Sequence, residues 1–278
     1  MNDSGSIELL PIYGLANRMR TMDSAISLAR HFNMKLTVYW EPYIYLYCPY
    51  SFLFEPIEGV VIIDMPPGTF GFSNMGTYDL CRPDIFQKYN DALILDASTI
   101  AGIKDPIKFF NEIIPQYKNM IIESYNRFYP SEFIYSWVKP RKNLTDLIEK
   151  ETASFDKNTI GVHIRRTDNK KSIDNSPLDS FYAAMDAEIE KNPFVNFYMA
   201  SDSLEVKTRL LQRYGNRIIT SGEKTNRNTI KGIQRALVEL YSLSKTNKIL
   251  GSYWSSFSST AAHLGDVPLQ TVLIGNAP

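Results

Sequence analysis

Two cysteines in 278 residues, Cys48 and Cys81, are too few for a disulfide framework and lack metal-type spacing. A reducing compartment is the expectation. The three histidines do not suffice for a His-rich metal centre. Neither charge sign is in excess: 30 Lys+Arg balance 30 Asp+Glu. That balance supplies no basic stripe for nucleic acid and no general field toward an anionic membrane, so any anion site must be local. No run approaches the roughly 20 apolar residues of a membrane span. The opening "MNDSGSIELLPIYG" has neither the basic nor the apolar region of a signal peptide. These absences give a soluble chain with an expected cytoplasmic location, peripheral at the inner face of a membrane only through a partner or lipid-linked substrate. Three ligand signatures are missing as well. The lack of G-x-x-x-x-G-K-[ST] weighs against a phosphate-loop NTPase, and the lack of G-x-G-x-x-G against dinucleotides. The lack of D-x-D weighs against a divalent-metal site for a nucleotide sugar.

What is present is α/β alternation. An apolar run at residues 7–12 meets Gly14, a helical pattern follows through Met19, Met22, Ile26 and Leu28, and "KLTVYW" reads as a second strand. This is a βαβ unit. Residues 41–82 are rich in Tyr, Phe, Pro and Gly, with a strand expected at 60–64, and residues 92–98 ("ALILDAS") read as a buried strand. Aromatics in this part, residues 43–78, either pack a loop-rich subdomain or stack on sugar rings. A polar helix near residue 141 precedes a second, cleaner series. Strands at 160–164, 196–200, 217–220 and 248–250 alternate with helices at 178–191, 204–214 and 230–244; "SSFSSTAAHLG" opens a helix and "LQTVLIG" is a last strand. Strands alternating with such helices predict parallel sheets. The expectation is two Rossmann-like domains facing a cleft, residues 1–150 and 151–278.

The chemistry concentrates at strand ends. "TIGVHIRRTDN" runs an apolar strand into His163, Arg165, Arg166 and Asp168. Successive strand residues face opposite sides, so the two arginines cannot share one solvated row. A structural ion-pair node is one reading. The other is delivery of cations to an anion at the carboxyl edge of a sheet, where α/β proteins bind ligands. Arginine's planar fork suits phosphate and never deprotonates. Ser255, Ser256, Ser258 and Ser259 crowd a helix start, exceeding what an N-cap needs and suiting a phosphate. Gly14 and Asn17 sit where a strand passes into a helix. Asp202 ends the strand "YMAS" at the same edge, and Glu239 is a carboxylate among apolar neighbours, either salt-bridged or able to accept from the paired N–H donors of guanine.

"IGVHIRRTD", "FYMASDS", "ALVELYSLSKTNKILGSYWSSFSSTAA" and "GLANRMRTM" together resemble the fucosyltransferase superfamily that shares an H-x-R-R-x-D motif. The likeness is greatest to alpha-1,6-fucosyltransferases of the animal core and rhizobial nodulation types. It runs through residues 159–262, with the 14–20 loop as its outlying piece. The resemblance implies a GT-B-like fold and transfer of fucose from GDP-fucose, with inversion, no metal and no cofactor beyond the donor. The acceptor would be an oligosaccharide or lipid-linked glycan, and nucleic acid is not a partner. Arg165 would clamp the diphosphate with Arg166 supporting it. His163 and Glu239 would read guanine, Ser256 beside Ser255 would bind phosphate oxygen, and Asp168 and Asp202 would orient the arginines or the sugar. Four positions depart from the family. Glu239 stands where the family usually has Asp and must reach about one methylene further. Asn169 replaces a lysine, Phe257 stands for glutamine, and the family's proposed glutamate base falls near Ile173, leaving Asp174 or Asp168 as base. The stalk and SH3-like extension of the animal enzymes have no counterpart, so recognition of an N-glycan core is not expected. Another GDP-sugar donor, or a non-catalytic nucleotide- or glycan-binding module, are the alternatives.

Overall fold

The computed structural model of the chain describes residues 5–70, 91–167, 169–223 and 225–275. It divides into two compact units, Met1–Arg141 with Arg227–Ile230, and Lys142–Asn226 with Lys231–Pro278. The division falls ahead of the polar helix Lys142–Thr152 rather than at its end.

In the first unit, β1 (Ser6–Pro11), β2 (Lys35–Trp40), β3 (Val60–Asp64), β4 (Leu93–Leu95) and β5 (Asn119–Ser124) form a parallel sheet in the order β3-β2-β1-β5-β4. Helix Leu15–His31 connects β1 to β2, as the sequence pattern requires. The central strands are near-continuous apolar runs because both faces are covered. Two acids nevertheless lie inside the sheet, and the hydroxyl of Tyr39 donates to Glu8 Oε2 at 3.0 Å. The strand expected at residues 92–98 is shorter. Asp96 accepts from the Thr99 N–H at 2.7 Å and starts helix Ala97–Gly102, so a local cap overrides an apolar run. Helix Pro106–Ile113, with Asp105 as its cap and Pro106 in its first turn, precedes β5. Cys48 is buried, and burial pushes its thiol up to about 12, so it is inert. Cys81 and the expected aromatic positions 71–78 lie outside the described residues.

In the second unit, β6 (Thr159–Ile164), β7 (Asn196–Ser201), β8 (Ile218–Ile219), β9 (Ile249–Ser252) and β10 (Leu269–Val272) form a parallel sheet in the order β10-β9-β6-β7-β8. Counted within the unit this is the Rossmann order 3-2-1-4-5 read from the other edge. The order reverses between β6 and β9. Ligands of open α/β sheets bind at the carboxyl ends of such strands. All six residues of β6 are buried, and Val162, Ile164, Phe181, Met185, Phe197, Leu210 and Leu250 pack into one core around it. The sheet thus fixes where residue 165 emerges. Among the described residues no helix is long and apolar enough to cross a membrane.

Candidate functional site

Chain leaving β6 is stitched to both neighbouring strands. On one side Ser252, the last residue of β9, accepts the Arg165 N–H at 3.0 Å and donates to the His163 carbonyl at 3.3 Å. On the other, Ser201 of β7 donates to the Ile164 carbonyl at 2.7 Å. Asp202 then organises the whole turn. Its Oδ1 accepts the Arg166 N–H at 2.8 Å, and its Oδ2 accepts the Thr167 N–H at 3.3 Å and the Thr167 hydroxyl at 2.8 Å. The same Oδ2 holds Arg165 Nε at 3.2 Å. One carboxylate therefore fixes both the backbone and the guanidinium.

The two arginines diverge, as strand alternation dictates. Arg166 turns inward, donating to the Arg165 carbonyl at 2.8 Å and the Ser176 carbonyl at 2.7 Å, with its guanidinium 6.0 Å from the Phe181 ring centre. Arg165 keeps 23% of its side chain exposed at the sheet edge. Geometry thus leaves Arg165 partly exposed at the sheet edge and gives Arg166 a bracing position.

Beside Arg165 stands the N-terminus of helix Ser256–Gly265, which follows β9. Ser255 is the N-cap residue, yet its side chain makes no capping hydrogen bond, and the first turn carries no acid. The positive end of the helix is worth about half an elementary charge. Close approach of this helix to the sheet depends on Gly251, where an added Cβ would lie 2.8 Å from Ser258 Cβ. Trp254, just before the cap, adopts a left-handed backbone (φ 53°).

His163 is 4% exposed and stacks on Phe257, with ring centres 4.7 Å apart and planes at 23°. Burial, reinforced by the Arg165 charge and opposed by Asp202, pushes its pKa down to about 3, so the ring is neutral. Its Nδ1 is buried without a hydrogen-bond partner. Glu239 lies in a buried ionic network. Lys207 Nζ is 2.6 Å from Glu239 Oε1 and Arg235 Nε is 3.6 Å from it, while Arg235 also forks onto Glu151. Burial raises the Glu239 pKa against the pull of Lys207. Lys207 also donates to the carbonyls of Ser221 and Glu223, at 3.4 and 3.3 Å, tying the loop after β8 to this network.

Asp174 is exposed on the short helix Lys170–Asn175 and pairs with Lys170 at 2.8 Å. Asn169 caps that helix, its Oδ1 accepting the Ser172 N–H at 3.1 Å, and its Nδ2 donates to the Trp254 carbonyl at 3.0 Å. Asp168 lies outside the described residues. Gly14 and Asn17 belong to the first unit, at the start of helix Leu15–His31. Asn17 Oδ1 is buried there without a partner, after Tyr13 in a left-handed conformation (φ 64°). Both sheets therefore place an uncapped helix start, preceded by a left-handed aromatic, at the carboxyl end of a strand beside the reversal of strand order. Ser252, Ser201, Ser176 and Lys207 were not singled out by sequence. Polar residues closing the apolar strands "YMAS" and "ILGS" were the available signal.

No protein-family model and no curated protein matches the sequence. Solved structures do. The chain is similar to fucosyltransferase NodZ from Bradyrhizobium, with a TM-score of 0.66 at 20% identity over 99% of this chain and 96% of that one. It is also similar to a variant of Arabidopsis thaliana FUT1 in complex with GDP, with a TM-score of 0.60 at 16% identity over 96% of this chain and 70% of that one. POFUT1 in complex with GDP is a third, with a TM-score of 0.57 at 12% identity over 98% of this chain and 99% of that one. The chain has the GT-B-like α/β fold of these fucosyltransferases.

Proposed function

We propose that the chain is an inverting, metal-independent fucosyltransferase that moves fucose from GDP-fucose to a glycan hydroxyl, in the manner of the alpha-1,6 enzymes. One observation carries the proposal: Arg165 and the uncapped start of helix Ser256–Gly265 stand on adjacent strands at the reversal of strand order. That pairing supplies a permanent cation, a helix dipole and the Ser255 and Ser256 hydroxyls for a diphosphate. The neighbours' names add the chemistry, since NodZ is described as an alpha-1,6-fucosyltransferase soaked with GDP-fucose.

In the reaction the acceptor oxygen attacks the anomeric carbon while the bond from that carbon to the phosphate oxygen breaks, inverting the centre. Negative charge grows on the leaving β-phosphate. Arg165 and the helix start meet it without reorganising, since Asp202, Ser252 and the packing around Gly251 hold them in place. His163, kept neutral and stacked on Phe257, and Glu239, held by Lys207, read the guanine and its surroundings. The acceptor proton passes to Asp174, with Asp168 as the other candidate base. The exposure of Asp174 leaves it open to an incoming hydroxyl.

Release of the nucleoside diphosphate, GDP from GDP-fucose and GDP-mannose and UDP from UDP-galactose, followed in EDTA with a mixture of glycan acceptors, tests the proposal. Release from GDP-fucose above the other two, abolished in Arg165→Ala, supports it. Preference for GDP-mannose would transfer the same clamp to another donor, and release from none with every acceptor would favour a binding module.

A further inference from the structure

Trp254 is the unusual residue of the second unit. A bulky side chain rarely takes a left-handed backbone, and such outliers persist where surrounding structure enforces them. Here Asn169 Nδ2 holds the Trp254 carbonyl at 3.0 Å, and the preceding Tyr253 N–H donates to Ser176 Oγ at 2.8 Å. The enforced kink does not bury the indole. Trp254 is 64% exposed, whereas Trp40 and Trp137 are 0% and 8% exposed. An apolar residue before an N-cap ordinarily packs back on its own helix; this one faces solvent. The Lys171 ammonium rests 4.7 Å from its ring centre. Lys171 and Asp174 lie three apart on one short helix, so they are neighbours on its surface.

We propose that Trp254 and Lys171 form an acceptor subsite, resting on the fucosyltransferase reading and extending it to the substrate's class. The indole stacks on the apolar face of a pyranose ring, and the Lys171 ammonium pairs with an acidic substituent, a carboxylate or phosphate, on that sugar. Phe257, in the first turn of the same helix, stacks instead on buried His163. A sugar on the indole would lie along the helix that carries Asp174, with its hydroxyl toward the candidate base.

The three tryptophans make the test direct. Fluorotryptophan labelling gives a ¹⁹F spectrum in which loss of one signal in Trp254→Phe identifies that residue. Titration with methyl β-glucuronide and methyl β-glucoside, with GDP present, should move the Trp254 signal alone. The glucuronide should bind about threefold or more tightly than the glucoside, the scale of an exposed charge pair, and Lys171→Gln should erase that advantage. Trp254→Gly should abolish sugar binding in saturation-transfer spectra with Tm unchanged or raised, because glycine takes the left-handed backbone freely. A Trp254 signal unmoved by both sugars, one moved by GDP instead, equal affinity for the two sugars, or a lowered Tm in Trp254→Gly would overturn the proposal. Calorimetry with GDP on the same sample separates the two levels. GDP bound with sugars ignored removes the subsite alone, whereas GDP unbound removes the donor reading.

Discussion

Replacing Gly251 by alanine couples packing to chemistry in a single methyl group. The new Cβ would meet Ser258 Cβ and Oγ at 2.8 Å and Leu269 Cδ1 at 2.9 Å, against 3.4 Å for ordinary contact. The gap to be opened is therefore 3.4 − 2.8 = 0.6 Å. The Ser258 hydroxyl can rotate, but its Cβ is fixed to helix Ser256–Gly265, so the helix must move away from β9. Overpacking of this kind costs about 1–3 kcal/mol. At roughly 2–4 °C per kcal/mol, the loss is about 2–12 °C in Tm. The displaced element carries Ser255 and Ser256, and a loss of about 1.4 kcal/mol at the phosphates weakens GDP roughly tenfold. Thermal unfolding and calorimetric titration with GDP read the two effects separately. Gly251→Ala combined with Ser258→Gly should recover most of the GDP affinity, since the opposing Cβ is gone, while retaining about 1 kcal/mol of helix penalty. An unchanged Tm and an unchanged GDP affinity in Gly251→Ala would refute the reasoning.

Three further outcomes are expected. His163 has a folded pKa of about 3, below its ordinary value of about 6.5. The unfolded chain therefore binds the extra proton between those values. Its contribution to stability is complete above about pH 6.5 and falls at up to about 1.4 kcal/mol per pH unit toward pH 3. Urea unfolding from pH 7.5 to 5 should show a shallower loss in His163→Asn, and an identical slope would contradict the assignment. Asp202→Ala removes the acceptor that gathers the 165–167 turn; GDP release should drop at least tenfold, with a stability loss of about 2–3 kcal/mol by urea unfolding. Lys207→Met leaves Glu239 buried beside Arg235 alone, which should cost about 3–5 kcal/mol, and adding Glu239→Gln should return part of it. Equal stabilities of the single and double variants would show the pair to be uncoupled.

The regular part of the second unit was legible because buried parallel strands are written as short apolar runs and their helices as longer periodic ones. Helices Leu178–Lys191 and Leu204–Tyr214 fall where the periodicity puts them. Legibility failed where one polar residue redirects the chain. Asp96 turns an apparent strand into a helix start. At the site, strand alternation already separated Arg165 from Arg166, but it could not say which one faces outward. That follows from the Ser176 carbonyl, ten residues along the chain, which captures Arg166. Glu239 was visible as a carboxylate among apolar neighbours. Its partner Arg235 stands four residues earlier on the same helix, a spacing the sequence does display, whereas Lys207 comes from another helix and no local spacing encodes it.

The most direct test of the central claim is calorimetric titration of GDP, GDP-fucose, GDP-mannose, UDP and ADP into wild type and Arg165→Ala, all in EDTA. The account predicts micromolar binding of GDP and GDP-fucose without metal and its loss in a still-folded Arg165→Ala. Absence of guanine-nucleotide binding to folded wild type, or undiminished GDP binding in Arg165→Ala, would contradict it.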